Sequence, residues 1–530
     1  MKRIVSCLIC FFAIFMLASC GNKQTFKFEI TDKTELRTSV VFEYSFSDPD
    51  KQLANSQLKY SISIEGQDGE EKSGTITQQD SGSITVSSLK EGTSYLLDVT
   101  TSFDNKAVTV ISGYKFATSA KGMDEDHPYE ISEASSFVKM LQNDYTGYFK
   151  LTADIDLEGI EVNPLFSSKS TYFAGTFDGD GHKITNFNLG TPADEEAGTT
   201  ATNHTYSVTY TGLFGGISDS GVVKNLTIEN ANLYVYRSSS TYFSFVAGYN
   251  AGKIENVHVK DSVLYAKGSS ATHYAGGIAG QNFVAGVIEN CSVENCTIEV
   301  KNGLGAIVGG ICGANDTTET SATTPNKIKN CSFSGNINVN ITTSSTLTAN
   351  LNVKVGGIIG FNNSYVGNTT VDANIKVSTD DANYSGTVFN VYVGGAVGHN
   401  LKDGSSVIYH TDVTASFDLD VKDAKVVSLG LIAGYNGGTK ETSSAQIIGA
   451  TFTNKGENVV SAKEGLTSIG AVGTNKNNQT DIQLAEDVTV TLNEYENRSS
   501  EEAKKITVYT ISNTGVETNV TYEAPAALPE

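Results

Sequence analysis

The chain predicts an all-β fold in two parts, a β-sandwich followed by a capped parallel β-helix solenoid. Three observations carry that expectation. A short apolar phrase ending in glycine returns eight times, at Gly215, Gly248, Gly280, Gly313, Gly360, Gly398, Gly434 and Gly473. A second phrase follows the early copies and aligns like residues into columns, and upstream of both lie alternating runs separated by turn residues. Repeats of this length signal a solenoid, a propeller or an array.

The clearest copies of the first phrase are Gly276-Gly-Ile-Ala-Gly280, Gly309-Gly-Ile-Cys-Gly313 and Gly356-Gly-Ile-Ile-Gly360. The second reads Val223-Lys-Asn-Leu-Thr-Ile228, Ile254-Glu-Asn-Val-His-Val259, Ile288-Glu-Asn-Cys-Ser-Val293 and Ile328-Lys-Asn-Cys-Ser-Phe333. Its apolar, polar, apolar ending has the period of a half-buried strand. A third short strand is marked by Leu233, Leu264 and Ile298. Three strands per module, each pairing with its copy about 4.8 Å away, describe a triangular β-helix. Asn225, Asn256, Asn290 and Asn330 form a column suited to a bend, where stacked amides bond along the axis and αL geometry is tolerated. An eight-bladed propeller is the rival. The uneven spacing of the glycines, 32 to 47 residues by subtraction, and the absence of tryptophan favour coils with loops of variable length.

These phrases resemble GLUG-type repeats, found in bacterial surface proteins and beside the catalytic part of some immunoglobulin A-cleaving metallopeptidases. The likeness extends upstream through Pro128-Tyr-Glu-Ile-Ser132, Phe149-Lys-Leu-Thr-Ala-Asp154-Ile-Asp156 and Phe173-Ala-Gly-Thr-Phe-Asp178-Gly-Asp180-Gly-His182. It implies a right-handed β-helix and a surface setting, and no single activity. After Gly360 the glycine phrase persists while the asparagine is lost, which leaves strand registration open there.

Residues 1–19 are expected to be a lipoprotein signal peptide. Lys2 and Arg3 precede an apolar run from Ile4 to Leu17, too short to span a bilayer. The ending Leu17-Ala-Ser-Cys20 resembles the bacterial lipoprotein box, which implies lipidation of Cys20 and a membrane partner. Residues 20–24 would be anchor and tether. Gly21 lacks the aspartate resembling an inner-membrane retention signal, so the outer membrane is the expected location. Surface exposure is inferred from architecture, and the face of the membrane stays open.

Residues 25–119 read as a sandwich, with alternation at Val40–Tyr44, Leu58–Ile64, Gly82–Val86, Tyr95–Val99 and Gly113–Phe116. Leu89-Lys-Glu-Gly-Thr-Ser-Tyr95 resembles the tyrosine corner of fibronectin type III domains, with Phe42 in place of the usual tryptophan. Residues 120–210 form the leading segment and N-terminal cap, in which Phe137, Met140 and Leu141 predict a short amphipathic helix capped at Ser132. Residues 211–486 are the repeats. Residues 487–530 form a strand-rich C-terminal cap and tail, because an open solenoid end exposes strand edges and apolar rungs.

The formal charge of −22 becomes −24 if Lys2 and Arg3 leave with the signal, and gives no basic footprint for nucleic acid. Outside the signal and Cys20 the cysteines are Cys291, Cys296, Cys312 and Cys331. Cys291 and Cys331 share a column, where either a disulfide or a pair of free core thiols fits, and free thiols are favoured. Zinc is disfavoured by spacing. Asp178 and Asp180 are a candidate calcium pair, although the turn they sit in is expected to be structural. Asp261-Ser262-Val263 and Asp316-Thr317-Thr318 look like the O-glycosylation motif of Bacteroides-type bacteria.

No His-Glu-x-x-His, Gly-x-Ser-x-Gly or phosphate loop is present, and no cofactor is expected. Carbohydrate-active β-helices gather carboxylates or basic residues on one face across coils, and here those positions read as serine, threonine and asparagine. The expected function is therefore non-enzymatic: adhesion, or binding of a host or microbial glycan or surface protein. A polysaccharide-degrading enzyme and a structural envelope component are the alternatives. Tyr234, Tyr236, Tyr242, Tyr265 and Tyr274 are the candidate ligand contacts, placed in or near variable connections, with inward packing as the competing expectation. Oligomeric state is not legible.

Overall fold

The computed structural model describes residues 24–160, 162, 165–166, 171–190, 209–236, 239–268, 271–283, 285–302, 304–316, 327–342, 350–379, 386, 388–401, 406–437, 445–463, 465–476, 480–496 and 502–523. Cys20, Thr317 and Thr318 lie outside them. The chain divides into two compact units between residues 120 and 121.

The first unit is a seven-stranded antiparallel sandwich. Its strands are β1 (Lys27–Glu35), β2 (Val40–Ser47), β3 (Leu58–Ile64), β4 (Lys72–Ile76), β5 (Ser81–Val86), β6 (Ser94–Phe103) and β7 (Lys106–Ala117). The sheets run β1-β2-β5 and β4-β3-β6-β7. The Lys90 N–H donates to the Tyr95 hydroxyl at 2.8 Å, tying the loop to β6. Phe42 is fully buried and meets Phe116 edge-on at 5.0 Å, so it fills the centre where a larger ring was absent.

The second unit is a parallel β-helix. One column of paired, buried residues runs Tyr129, Phe149, Phe177, Val223, Ile254, Ile288, Ile328, Val366, Ile408 and Ile447. Strand-to-strand pairing between successive coils excludes the propeller, whose blades pair strands within one repeat. The stack is already in register well upstream of Thr211. Registration continues after Gly360, with Phe333, Val371, Val413 and Phe452 in one column, and shifts near the far end, between Gly430 and Ala433 and between Ile447 and Ala450.

The early coils have four strand segments rather than three, whereas from Leu351 on neighbouring segments merge, as in Tyr365–Thr379, Val407–Asp420 and Val426–Asn436, and three remain. In one early turn the four are Thr241–Phe243, Ala247–Asn250, Lys253–Lys260 and Val263–Lys267. The first two belong to a 14-stranded sheet and the last two to a 22-stranded sheet. The glycine phrase is therefore a corner between two short strands. Gly310 shows why: a Cβ there would lie 2.2 Å from the Gly357 carbonyl oxygen and 2.3 Å from the Phe333 ring.

Two asparagine ladders hold the bends. Asn225, Asn256, Asn290 and Asn330 have φ of 54°, 53°, 56° and 54°, the αL geometry expected of the column. Asn256 donates to Asn225 and Asn330 to Asn290, each at 3.0 Å. The asparagine is not lost after Gly360: Asn368 follows with φ 52° and donates to Asn330 at 3.2 Å, and only then do His410 and Gly449 take the place. The second ladder lies two residues after the last glycine of each phrase from Gly248 on. Asn250, Asn282, Asn315, Asn362, Asn400 and Asn436 are fully buried, and each amide donates to the next carbonyl oxygen at 2.8 to 3.1 Å, ending at Asn475.

Both ends are closed. Helix α1 (Ala134–Asn143) buries Phe137 and Leu141, and Phe137 packs edge-on against Phe177 at 5.9 Å. Glu133, not Ser132, supplies the first carbonyl, which accepts from the Phe137 N–H at 3.0 Å. At the far end Val488–Tyr495 still pairs in parallel, whereas Lys505–Ser512 and Gly515–Glu523 add antiparallel. That reversal ends the stack.

Candidate functional site

On the larger sheet, alternation places Leu233 and Val235 inside and Tyr234 and Tyr236 outside. Parallel register repeats this in every coil. One outward column is Tyr234, Tyr265, Glu299, Asn338, Lys376 and Asp418; beside it run Tyr236, Lys267, Lys301, Asn340, Ser378 and Asp420. Tyr265 lies 6.1 Å from Tyr234 and 5.9 Å from Tyr236, tilted by 45° and 50°, so the rings do not cover each other. The Lys301 ammonium lies 5.9 Å from the Tyr265 ring centre. Beyond it a groove of about 250 Å³ is lined by Glu299, Lys301, Asn338, Val339, Asn340, Lys376 and Ser378.

The other two candidate tyrosines belong to the smaller sheet, and all five sit in strands rather than in connections. Tyr242 stacks on Tyr274 at 4.4 Å and on Tyr210 at 5.2 Å. Their faces are used by one another, leaving edges and hydroxyls outward. Such a stack rigidifies the sheet and offers no open face to a sugar. The candidate set is therefore two separate groups.

Asp178 and Asp180 do not fit calcium. Asp178 Oδ1 accepts from the Asn225 amide at 3.0 Å and the Asp180 N–H at 2.9 Å, while Lys224 reaches Oδ2 at 3.2 Å. Burial alone would raise this carboxyl, but those donors outweigh it and hold it below the usual range. Asp180 pairs with Lys150 at 3.0 Å. Asp178 thus caps the first asparagine ladder. Among the described residues no group of three or more His, Cys, Asp and Glu is placed to hold a metal.

The four cysteines of the repeats are buried free thiols, and the Cys291 and Cys331 S–H groups point to their own strands' carbonyls at 3.2 Å. Desolvation pushes Cys291 well up and Cys296 to about 12. Ser262 is only 1% exposed and donates to the Lys260 carbonyl at 2.6 Å, so the folded chain offers no hydroxyl there for glycosylation.

One expectation about catalysis is corrected. The outward column on the first strand of the larger sheet does gather charge: Glu130, Lys150, Asp178, Lys224, Glu255, Glu289 and Lys329. The residues are paired, however. Lys253 and Lys329 each reach Glu289 at 2.6 Å, overcoming its burial and pulling its pKa to about 2. A glycosidase acid needs the opposite shift. Nearby, His258 lies 2.8 Å from the Ser292 hydroxyl and 3.0 Å from Asn256 Oδ1. The Ser292 hydroxyl donates to Glu294 at 2.8 Å, and the Ser332 N–H facing this coil is spent on Cys291. Donors committed to the ladder cannot form an oxyanion hole.

A second cluster lies on the smaller sheet. The Lys354 ammonium sits 3.9 Å from the Phe361 ring centre, and His399 packs against Phe361, Tyr392 and Tyr435 at 5.5, 5.4 and 4.8 Å. Burial lowers Lys354 to about 8 and His399 to about 3. A lysine whose folded pKa is depressed favours folding only as its neutral amine. Its cost is complete below pH 8 and fades as pH rises toward its unfolded value. Lys354→Met is therefore expected to stabilise the fold at pH 7 by about 1–2 kcal/mol, after allowance for the lost ring contact. Denaturant midpoints of both chains at pH 7 and pH 10 check this, with the gap narrowing at the higher pH.

Residues 271–299 match the family described as the GLUG motif. Over 181 residues, 32% of this chain, the sequence is 26% identical to halomucin of Haloquadratum walsbyi, of whose length the match covers 2%. No solved structure matches. The matched residues, Ala271 to Glu299, hold Tyr274, the second rung of the buried ladder at Asn282 and the groove residue Glu299, so the chain is similar to a GLUG-repeat protein over the coil that opens the candidate site.

Proposed function

We propose that this is a non-enzymatic binding protein of the cell envelope, which holds an extended glycan or protein along the outer face of its larger sheet. The observation that carries the reading is the paired outward column from Tyr234 to Lys376, where outward-facing tyrosines lead into a groove of amides, hydroxyl and charge. Aromatic faces and convergent polar groups are the usual chemistry of sugar and peptide recognition. The likeness to GLUG repeats and to halomucin supports a surface or envelope setting. Within this reading Cys20 is the lipidated residue, the outer membrane is the location, and residues 25–119 form a fibronectin type III-like spacer, which its strand order and the Tyr95 contact support.

The test is binding to an array of host and microbial glycans, mucins and matrix proteins. A saturable ligand should lose about tenfold or more in affinity with Tyr234→Ala, Tyr236→Ala and Tyr265→Ala combined. A blank array would overturn the reading. The alternative, polysaccharide cleavage, draws on the carboxylate column around Glu255 and Glu289, and release of reducing ends from a polysaccharide panel would favour it.

A further inference from the structure

Resting on that reading, we infer that the groove selects acidic glycans, chains bearing carboxylate or sulfate groups, with Lys301 and Lys376 as the anion contacts. The two lysines stand on opposite sides of the Asn338/Asn340 coil, so their attachment points are two coil steps, about 10 Å, apart along the axis. Both flank the same groove. Its lining carries two lysines and one glutamate, a local positive balance in a chain of formal charge −22. A cleft whose sign opposes its surroundings concentrates ligands of the other sign.

The existing ion pairs are weak enough to yield. Lys301 is 3.9 Å from Glu299. Lys376 meets Asp418 at 3.0 Å, but both side chains are about 60% exposed, a setting in which a pair is worth little. Between the lysines, the Asn338 amide and the Ser378 hydroxyl, which accepts from the Asn340 amide at 3.0 Å, match sugar hydroxyls. Toward the N-terminus, Tyr265, Tyr234 and Tyr236 present rings to sugar C–H faces. Toward the C-terminus, Asp418 and Asp420 occupy the next coil and would repel an acidic chain. The ligand therefore lies from Tyr234 to Lys376 and stops before Asp418. The remaining carboxylate, Glu299, works against anion binding, which gives the proposal a signed consequence.

Titration of the full chain with a hyaluronan hexasaccharide, a heparin-derived hexasaccharide and cellohexaose tests it by calorimetry. At least one acidic probe should bind more tightly than cellohexaose and weaken as salt rises. Lys301→Gln with Lys376→Gln should cost that probe about tenfold or more, since charge-assisted contacts are lost. Glu299→Gln should tighten the acidic probe several-fold, and by more at low salt than at high salt, an effect that a merely structural role for the groove would not produce. If cellohexaose binds as well as the acidic probes and the lysine variants change nothing, acid selection is wrong while glycan binding stands. If no probe binds but a protein on the array does, the groove's ligand is not a glycan and this inference falls, leaving the binding reading intact.

Discussion

Gly310→Ala is expected to destabilise the β-helix by about 3 kcal/mol or more, because the added methyl meets both backbone and a core ring. A Cβ at Gly310 would stand 2.2 Å from the Gly357 carbonyl oxygen and 2.3 Å from Phe333. The same corner position is Gly277, Gly357 and Gly395 in other coils, where a Cβ would likewise stand 2.5, 2.2 and 2.1 Å from a backbone oxygen even though the facing side chain is a valine. Phe333→Val should recover only part of the loss, since the carbonyl contact remains. Urea denaturation of the single and double variants measures both. A neutral Gly310→Ala would show that the corner can shift, and the close-packing account would be wrong.

Asn315→Asp is expected to be costlier than Asn315→Leu, which itself should lose about 2–4 kcal/mol. Asn315 accepts from Asn282 at 2.9 Å and donates to Asn362 at 2.9 Å and to the Tyr365 carbonyl at 3.3 Å, all without solvent. Leucine deprives one donor, the Asn282 amide, and two acceptors, the Asn362 and Tyr365 oxygens, of their Asn315 partner. Aspartate instead sets a carboxylate against the Asn362 oxygen, and its buried acid would titrate above the unfolded value. The folded variant would then hold its proton where the unfolded chain releases it, so Asn315→Asp should gain stability as pH falls toward 4 while Asn315→Leu does not. Thermal melts across that range decide the matter, and parallel pH profiles for the two variants would remove the ladder's role.

Much of this fold was legible because a parallel solenoid writes its contacts into the sequence as aligned positions. The Ile254 and Val259 columns and the αL bend at Asn225, Asn256, Asn290 and Asn330 follow from phrase alignment alone. The fourth strand segment was hidden because the glycine phrase reads as one continuous apolar run, and the bend within it follows from close approach rather than turn residues. The buried ladder was also on the page, as an asparagine two residues after Gly248, Gly280, Gly313, Gly360, Gly398, Gly434 and Gly473. Its partners lie 32 to 47 residues apart, at the distances of the repeat itself, where no local propensity points.

The site was legible only in part. Tyr234, Tyr236 and Tyr265 face outward on one sheet, and Tyr242 and Tyr274 fall on another, because strands Asn232–Tyr236 and Thr241–Phe243, close in sequence, belong to different sheets. The lysines of the groove escaped notice, since Lys301 and Lys376 become neighbours only through the register of coils separated by loops. The charge column from Glu130 to Lys329 escaped for the same reason, as its members are one per coil.

The buried asparagine ladder also bears on how such a chain can lengthen or shorten over evolutionary time. Every interior rung receives one amide proton from below and passes one upward, so any coil presents the same interface to both neighbours. Insertion or deletion of a whole repeat restores each bond and shifts everything beyond it by about 4.8 Å. A fractional insertion within a strand would instead misalign every rung above it. Growth by duplication of complete turns, with free variation confined to the connections, is thus the mode of change this architecture permits.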